Sequence, residues 1–331
     1  MRKAIVTALL ILGGILAALV LGLAIFVAAN WAPEKSVEEL KPRWAPPPST
    51  FVEVLGLNVH LRDEGPSDGE VVILLHGFPE TKASWDDVVP ILSAAGYRVL
   101  APDQRGYSPR ARPKGRRAYA ADQLVGDVLA LADAAGAERF HVVGHDWGAA
   151  VAWYCAMWHP QRVATVTSLA TPHPTAFARS LLTSSQFFRS WYFLFYQLPR
   201  LPEWASTSSF GRPRFRATLL RSGLPEQKLE TYMAALDAPG AMTAAINWYR
   251  AVPFTPPTKQ RPVSVPTLYV YGARDFALGS KAANLTGRYV TGPYRYERLD
   301  ASHWMPEEVP DVVTRLILEH VGTSGDVAAV S

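Results

Sequence analysis

The fold is decided by one short stretch of the sequence, Gly144-His145-Asp146-Trp147-Gly148. The largely apolar residues 140–143 before it predict a buried strand, and residues 149–157 after it predict a helix that begins at once. A strand that turns directly into a helix needs glycines for close backbone approach, and it leaves the central side chain exposed above the sheet. Asp146 is therefore either a helix N-cap, which suits its carboxylate, or a nucleophile.

Outward from this turn, strand and helix patterns alternate along the chain. Strands are predicted at residues 51–55, 57–62, 71–75, 98–101, 140–143, 163–170, 267–271 and 295–299. Helices are predicted at 88–95, 124–135, 149–157 and 309–320. The continuous apolar run at 71–75 is typical of a strand that is buried on both faces, as in a parallel sheet. The sequence therefore predicts an α/β fold with a mostly parallel sheet.

The alternation of strands and helices is interrupted over residues 172–258. Aromatic-rich helical segments at 187–195 and 232–250 occur there without strands. We expect a helical cap at 172–258, inserted into a core that consists of residues 51–171 and 259–320, with a short tail at 321–331. No internal repeat is visible.

The N-terminus predicts a membrane anchor. After Arg2 and Lys3, residues 4–29 carry no charge, and as a helix they exceed the roughly 30 Å of a bilayer's hydrocarbon core. A cleaved signal peptide ending at 27–29 is the alternative, but its apolar region normally has only about 7 to 15 residues. We therefore expect residues 1–30 to form one transmembrane helix, and the proline-rich residues 31–50 to form a linker. The basic residues predict a cytoplasmic N-terminus and a catalytic domain on the opposite face.

Composition excludes several classes of protein. A chain of 331 residues, 49% of them hydrophobic, is sufficient for a large core. The net charge of +4 is modest and dispersed, which argues against nucleic-acid binding. One acid-free basic cluster at 105–117 suits anionic headgroups or an acidic partner, but a solvated loop is the favoured interpretation. The single cysteine, Cys155, lies in an apolar helical stretch and is expected to pack in the core.

Two later loops supply the partners that a nucleophilic Asp146 needs. Asp275 follows the strand at 267–271, and His303 follows the strand at 295–299. The order nucleophile, acid, histidine is that of a catalytic triad, in which His303 is the general base and Asp275 orients its ring. Asp300 is a rival acid, but it lies only three residues before His303.

A loop upstream completes the predicted site. The buried strand at 71–75 is followed by His76-Gly77-Phe78-Pro79, whose backbone can face Asp146. The backbone amides of Phe78 and Trp147 are then expected to form an oxyanion hole.

Residues 51–320 resemble the α/β-hydrolase fold, and three motifs resemble its epoxide hydrolase branch. These motifs are His76-Gly77-Phe78-Pro79-Glu80, Gly144-His145-Asp146-Trp147-Gly148 and Ala301-Ser302-His303-Trp304. The N-terminal apolar helix is similar to the anchors of membrane-bound members. The resemblance implies hydrolysis of epoxides to vicinal diols through a covalent ester on Asp146, and it implies no metal or cofactor.

The same resemblance implies two cap tyrosines that hold the epoxide oxygen. Tyr249 matches one of them, and Tyr192 matches the other, with Tyr196 as an alternative because the aromatic run permits a shift of register. Other cap aromatics, Trp191, Trp248, Phe195 and Tyr196, are candidates for binding an apolar substrate.

Two other functions compete with epoxide hydrolysis. A haloalkane dehalogenase uses the same triad but holds a halide with tryptophan nitrogens, for which Trp147 is suitable. A non-catalytic protein of the same fold that binds an apolar ligand or a membrane partner is the second alternative, although it needs no triad.

Overall fold

The computed structural model describes residues 2–31, 35–36, 50–255 and 261–328. The strands in these residues are β1 (Thr50–Val54), β2 (Leu57–Glu64), β3 (Val71–Leu75), β4 (Arg98–Pro102), β5 (Phe140–His145), β6 (Val163–Leu169), β7 (Thr267–Gly272) and β8 (Tyr294–Leu299). They form a sheet in the order β1-β2-β4-β3-β5-β6-β7-β8. β2 pairs antiparallel with β1 and β4, and the other pairs are parallel. The prediction of a mostly parallel α/β sheet is confirmed.

Helices cover both faces of this sheet. α1 (Arg2–Ala29) precedes the sheet, and the core helices that follow are α2 (Val89–Ala94), α3 (Ala121–Ala134) and α4 (Trp147–Trp158). Successive β3 side chains alternate between two clusters: Ile73 and Leu75 pack with α3 and α4, whereas Val72 and Leu74 pack with α2. This alternation explains why the whole of β3 is apolar. Cys155 of α4 is buried, as expected.

Between β6 and residue 255, every described element is helical. These elements are α5 (Pro174–Thr183), α6 (Gln186–Arg189), α7 (Trp191–Phe195), α8 (Leu201–Thr207), α9 (Arg212–Arg221), α10 (Glu226–Leu236), α11 (Ala241–Ala251) and a short turn at Val252–Phe254. The segment predicted at 232–250 is broken between α10 and α11, because Pro239 lacks an amide donor and Gly240 adopts a φ of 70°. The predicted cap boundary at 258 lies outside the described residues.

The chain then returns to the core through α12 (Ser280–Thr286), α13 (Met305–Glu308) and α14 (Pro310–Ala328). Val313 and Ile317 of α14 pack in the same cluster as Val72 and Leu74 of β3. The last helix continues past residue 320, where the sequence predicted a tail to begin.

α1 is a long apolar helix at the N-terminal end of the chain. Its residues Leu9–Ala29 are long and apolar enough to cross a membrane, a test that a signal sequence also passes. Its large side chains lie exposed, as Leu10 does at 72%. Its C-terminal end packs on α8, where the Trp204 indole nitrogen donates to the Val27 carbonyl at 3.2 Å. Most of the predicted linker, residues 31–50, lies outside the described residues.

The basic cluster at 105–117 is largely engaged in contacts within the protein. Arg105 donates to both carboxylate oxygens of Asp127, at 2.6 and 2.5 Å. Arg112 donates to the carbonyls of Gly106 and Tyr107, at 3.0 and 2.9 Å. These arginines therefore stabilise the loop before α3.

Candidate active site

Asp146 lies at a strained turn between β5 and α4. Its φ and ψ are 48° and −116°, a backbone conformation that is rare for a residue with a side chain. The turn needs both flanking glycines: a Cβ on Gly144 would overlap the backbone of Gly148, and a Cβ on Gly148 would overlap that of Leu75. Asp146 occupies the N-cap position of α4, but its side chain makes no capping hydrogen bond.

The Asp146 carboxylate is directed at two other loops. Its Oδ1 accepts a hydrogen bond from the Phe78 amide at 2.9 Å. Its Oδ2 lies 3.5 Å from Nε2 of His303. Gly77 passes so close that a Cβ there would overlap Cβ of Asp146. The structure therefore brings together the predicted Asp146, His303 and the loop after β3, while its hydrogen bonds include none from the Trp147 amide to this carboxylate.

His303 is held on its other side by Asp275. The two side chains are buried, and His303 Nδ1 lies 2.7 Å from Asp275 Oδ2. The second oxygen of Asp275 accepts the amides of Ala277 and Leu278 at 2.7 and 2.8 Å, so that the carboxylate has a fixed orientation. The rival acid Asp300 is instead exposed and pairs with Arg274 at 3.0 Å.

The charges of the triad stabilise one another. Burial favours the neutral imidazole, but the adjacent Asp275 and Asp146 raise the pKa of His303 well above its ordinary value. Burial likewise opposes ionisation of Asp146, yet the hydrogen bond and charge of His303, with further help from the Phe78 amide, lower the pKa of this carboxyl. An ionised Asp146 and a protonated His303 therefore each favour the charged form of the other.

A cavity of about 270 Å³ opens above Asp146. Its wall is mostly apolar and includes Trp147, Phe193, Trp248 and residues of α5. Tyr192 and Tyr249 of the cap both line it together with Asp146. A small apolar molecule that enters this cavity meets the carboxylate on one side and two tyrosines among the cap residues.

Three of the four predicted substrate-binding aromatics lie away from this wall. Trp191 is 62% exposed, and Phe195 is half-buried outside the cavity. Tyr196 is buried against Tyr249, with ring centroids 4.7 Å apart, and does not line the cavity. The reason is helical periodicity, since α7 directs Tyr192 and Phe193 inward and therefore turns Trp191 outward. Only Trp248 of the four contributes to the cavity wall.

The tyrosine hydroxyls in the cap stay protonated over a wide pH range. Burial is the main cause and the nearby negative charge of Asp146 the second, and together they raise the pKa of Tyr192 and Tyr249 well above the ordinary value. The same two causes raise the pKa of Tyr196. At neutral pH the two cavity tyrosines are therefore hydrogen-bond donors.

Sequence reasoning missed a buried pair behind His303, formed by a glutamate and a histidine. His145 Nδ1 lies 2.6 Å from Glu80 Oε1, and both side chains are inaccessible to solvent. The other nitrogen of His145 bonds the His303 carbonyl at 2.8 Å, and Glu80 accepts the Gly77 amide at 2.7 Å. The pair thus connects the loop after β3 to the loop that carries His303. Both residues lie inside motifs that the sequence had singled out, so their proximity to Gly77 and Asp146 along the chain was the available signal.

Comparison with known proteins gives one consistent result. A family model described as alpha/beta hydrolase fold matches residues 70–310. The chain is 35% identical to the AB hydrolase superfamily protein YfhM of Bacillus subtilis, over 82% of this chain and 96% of that one. It is 33% identical to Epoxide hydrolase A of Mycobacterium tuberculosis, over 82% and 97% of the two chains. The crystal structure of Epoxide Hydrolase A from Mycobacterium thermoresistibile is similar with a TM-score of 0.71 at 29% identity, covering 82% and 97%. The matched residues include every element that carries the site.

Proposed function

The chain belongs to the α/β-hydrolase family and is an epoxide hydrolase, and from this premise we propose that it converts apolar epoxides to vicinal diols through a covalent ester on Asp146. The observation that carries this mechanism is the position of the Asp146 carboxylate. It lies between the Phe78 amide and His303, in a cavity that Tyr192 and Tyr249 also line.

The first step is alkylation of Asp146. One carboxylate oxygen attacks an epoxide carbon from the side opposite the carbon–oxygen bond that breaks, and an ester forms. The departing oxygen becomes an alkoxide that takes a proton from Tyr192 or Tyr249. A positioned acid of this kind accelerates a reaction by roughly 100-fold to 10,000-fold.

The second step is hydrolysis of the ester, for which His303 must become neutral. Alkylation removes the negative charge of Asp146, and with it one of the two anions that raise the pKa of His303. The pKa of the imidazolium falls, and its Nε2 proton is lost, ultimately to the tyrosinate left by the first step. The neutral imidazole then takes a proton from water, which attacks the ester carbonyl. The amides of Phe78 and Trp147 stabilise the resulting oxyanion. Its collapse breaks the bond between the carboxyl carbon of Asp146 and the oxygen of the alkyl group, and the departing diol oxygen takes the proton from His303. Asp146 then ionises and returns a proton to His303.

The cavity favours an apolar substrate of modest size. Its wall of aromatic and aliphatic side chains offers few polar partners besides the reacting groups. α1 is proposed to anchor the enzyme in a membrane, which would place this cavity close to epoxides dissolved in lipid.

A single turnover in oxygen-18 water tests the covalent mechanism. Enzyme in excess over an apolar epoxide should give an unlabelled first diol and one labelled oxygen in the Asp146 carboxyl, which mass spectrometry of peptides measures. Label in the first diol would contradict the ester. Halide release from haloalkanes without epoxide turnover would identify a dehalogenase instead. The variant Asp146→Ala should form no ester, and full activity of this variant would overturn the role of Asp146.

A further inference from the structure

The two short helices α6 and α7 are apolar on their outward side, and α6 is polar on its inward side. Phe187, Trp191 and Leu194 are 53%, 62% and 64% exposed, at spacings of four and three residues. On the inward side Gln186 is buried, donates to the Ala277 carbonyl at 2.7 Å and accepts the Gly279 amide at 2.8 Å. A surface helix in water shows the opposite pattern. The outward side therefore requires an apolar environment.

Further exposed apolar side chains lie on α5 and α8, the helices before and after these two in the chain. We define the apolar cap face as Leu182 of α5, Phe187 and Phe188 of α6, Trp191 and Leu194 of α7, and Leu201 of α8. Leu182 and Phe188 are the most exposed, at 89% and 76%. Large exposed apolar surfaces mark sites that contact a protein or a membrane.

The end of α1 is held beside this face. Trp204 lies one turn after Leu201 in α8, and its ring centroid is 5.7 Å from that of Phe26 in α1. The backbone contact continues beyond the helix, where the Ser209 amide donates to the Asn30 carbonyl at 3.0 Å. α8, which carries Leu201 of the apolar cap face, therefore also holds the C-terminal end of α1.

The charge of this region is positive. Residues 172–224 contain seven arginines and only one acidic residue, Glu203. Glu203 is already paired with Arg250, at 2.6 Å. Among the described residues, no acidic side chain pairs with Arg179 or Arg200, which flank the apolar cap face in the sequence. Arginines beside exposed aromatic and leucine side chains suit a bilayer that contains anionic lipids.

We propose that the apolar cap face lies in the headgroup region of a lipid bilayer and that apolar epoxides enter the active site from that bilayer. The inference rests on the proposed anchoring by α1 and on the proposed function. α5 lies between the cavity and the apolar cap face: Phe177 and Leu181 line the cavity, whereas the next residue, Leu182, belongs to the apolar cap face. One helix thus separates the lipid from the reacting carboxylate.

A fluorescent label on the apolar cap face tests its contact with lipid. The full chain with Phe188→Cys carries an environment-sensitive fluorophore, since the native Cys155 is buried and does not react. In vesicles of phosphatidylcholine and phosphatidylglycerol in equal amounts, nitroxide-labelled acyl chains should quench about half or more of the emission. Glu138→Cys is the matched control. Glu138 is exposed and lies just before β5, at the amino ends of the parallel strands and therefore opposite the active site. Its label should be quenched by less than about a tenth.

The possible outcomes distinguish a failure of this inference from a failure of the proposed anchoring by α1. Protein that floats with the vesicles but is not quenched at position 188 overturns the inference and leaves the anchor intact. Protein that does not float overturns both. Energy transfer between labelled copies, without quenching by lipid, would assign the face to a second copy of the chain.

The entry route has its own test. The double variant Phe187→Ser and Phe188→Ser should keep its turnover of a water-soluble epoxide within about twofold and lose about fivefold or more with a long-chain epoxide dissolved in vesicles. Ile91→Ser removes an exposed apolar side chain of α2, on the core, and should change neither rate. Equal losses on both substrates, or no loss on either, would overturn the entry route without affecting the covalent mechanism.

Discussion

At the scale of single residues, the proposed mechanism depends on a change in the charge of His303. Both flanking carboxylates raise its pKa in the unreacted enzyme, although burial alone would lower it. Asp146→Ala removes one of these anions, as the ester does, so the pKa of His303 should fall. A pH titration of the His303 ring by NMR measures the shift.

The control for this titration is Asp300→Ala. Asp300 is nearby in the sequence but exposed and paired with Arg274, and its charge is screened by water. This variant should leave the pKa of His303 unchanged. Equal shifts in the two variants would show that Asp146 has no special influence on the imidazole.

The three cap tyrosines differ in their position relative to the cavity. Tyr192 and Tyr249 line the cavity, and Tyr196 packs behind them. Tyr192→Phe and Tyr249→Phe should each slow alkylation by about 100-fold, because the departing oxygen loses a proton donor. Tyr196→Phe keeps the ring that packs on Tyr249, and we expect a loss below about fivefold. Rapid mixing with excess enzyme measures the alkylation rate, and a larger loss for Tyr196 than for Tyr192 would reverse the assignment.

At the scale of elements, the turn between β5 and α4 tolerates no added side chain. Gly148→Ala would place a methyl group against the backbone of Leu75, which cannot rotate away. We expect a loss of about 1 to 3 kcal/mol in the free energy of unfolding, measured as a lower urea midpoint. Gly322→Ala in α14 has no atom within 4 Å of the new methyl group, and it should stabilise the protein by about 0.5 to 1 kcal/mol. Similar midpoints for the two variants would contradict the steric argument.

A comparison of the predicted and observed elements shows which parts of the fold the sequence predicts. The parallel strands were predictable within one or two residues, because most of them contain an apolar run bounded by loops, as β3 does. The proximity of Asp146, Asp275 and His303 was predictable because parallel strands bring their carboxyl ends to one edge of the sheet. The cap was less predictable: the aromatic run 191–196 does not reveal which rings face the cavity, since that depends on how α7 docks. Trp191 was therefore misplaced, and the pair Glu80 and His145 was overlooked because contact across loops leaves no periodic signal.

At the scale of the whole molecule, the proposal that α1 is a membrane anchor leads to a prediction of the side of the membrane on which the catalytic domain lies. Arg2 and Lys3 precede the apolar run, and positively charged flanks stay in the cytoplasm. We therefore expect the domain on the opposite face. In Glu138→Cys the introduced thiol is exposed and the native thiol is buried, so a membrane-impermeant maleimide reports on one site. Intact cells should be labelled as strongly as lysed cells, and adding Arg2→Glu and Lys3→Glu should reduce labelling of intact cells because the charge bias is reversed. Labelling only after lysis in the parent variant would place the domain in the cytoplasm.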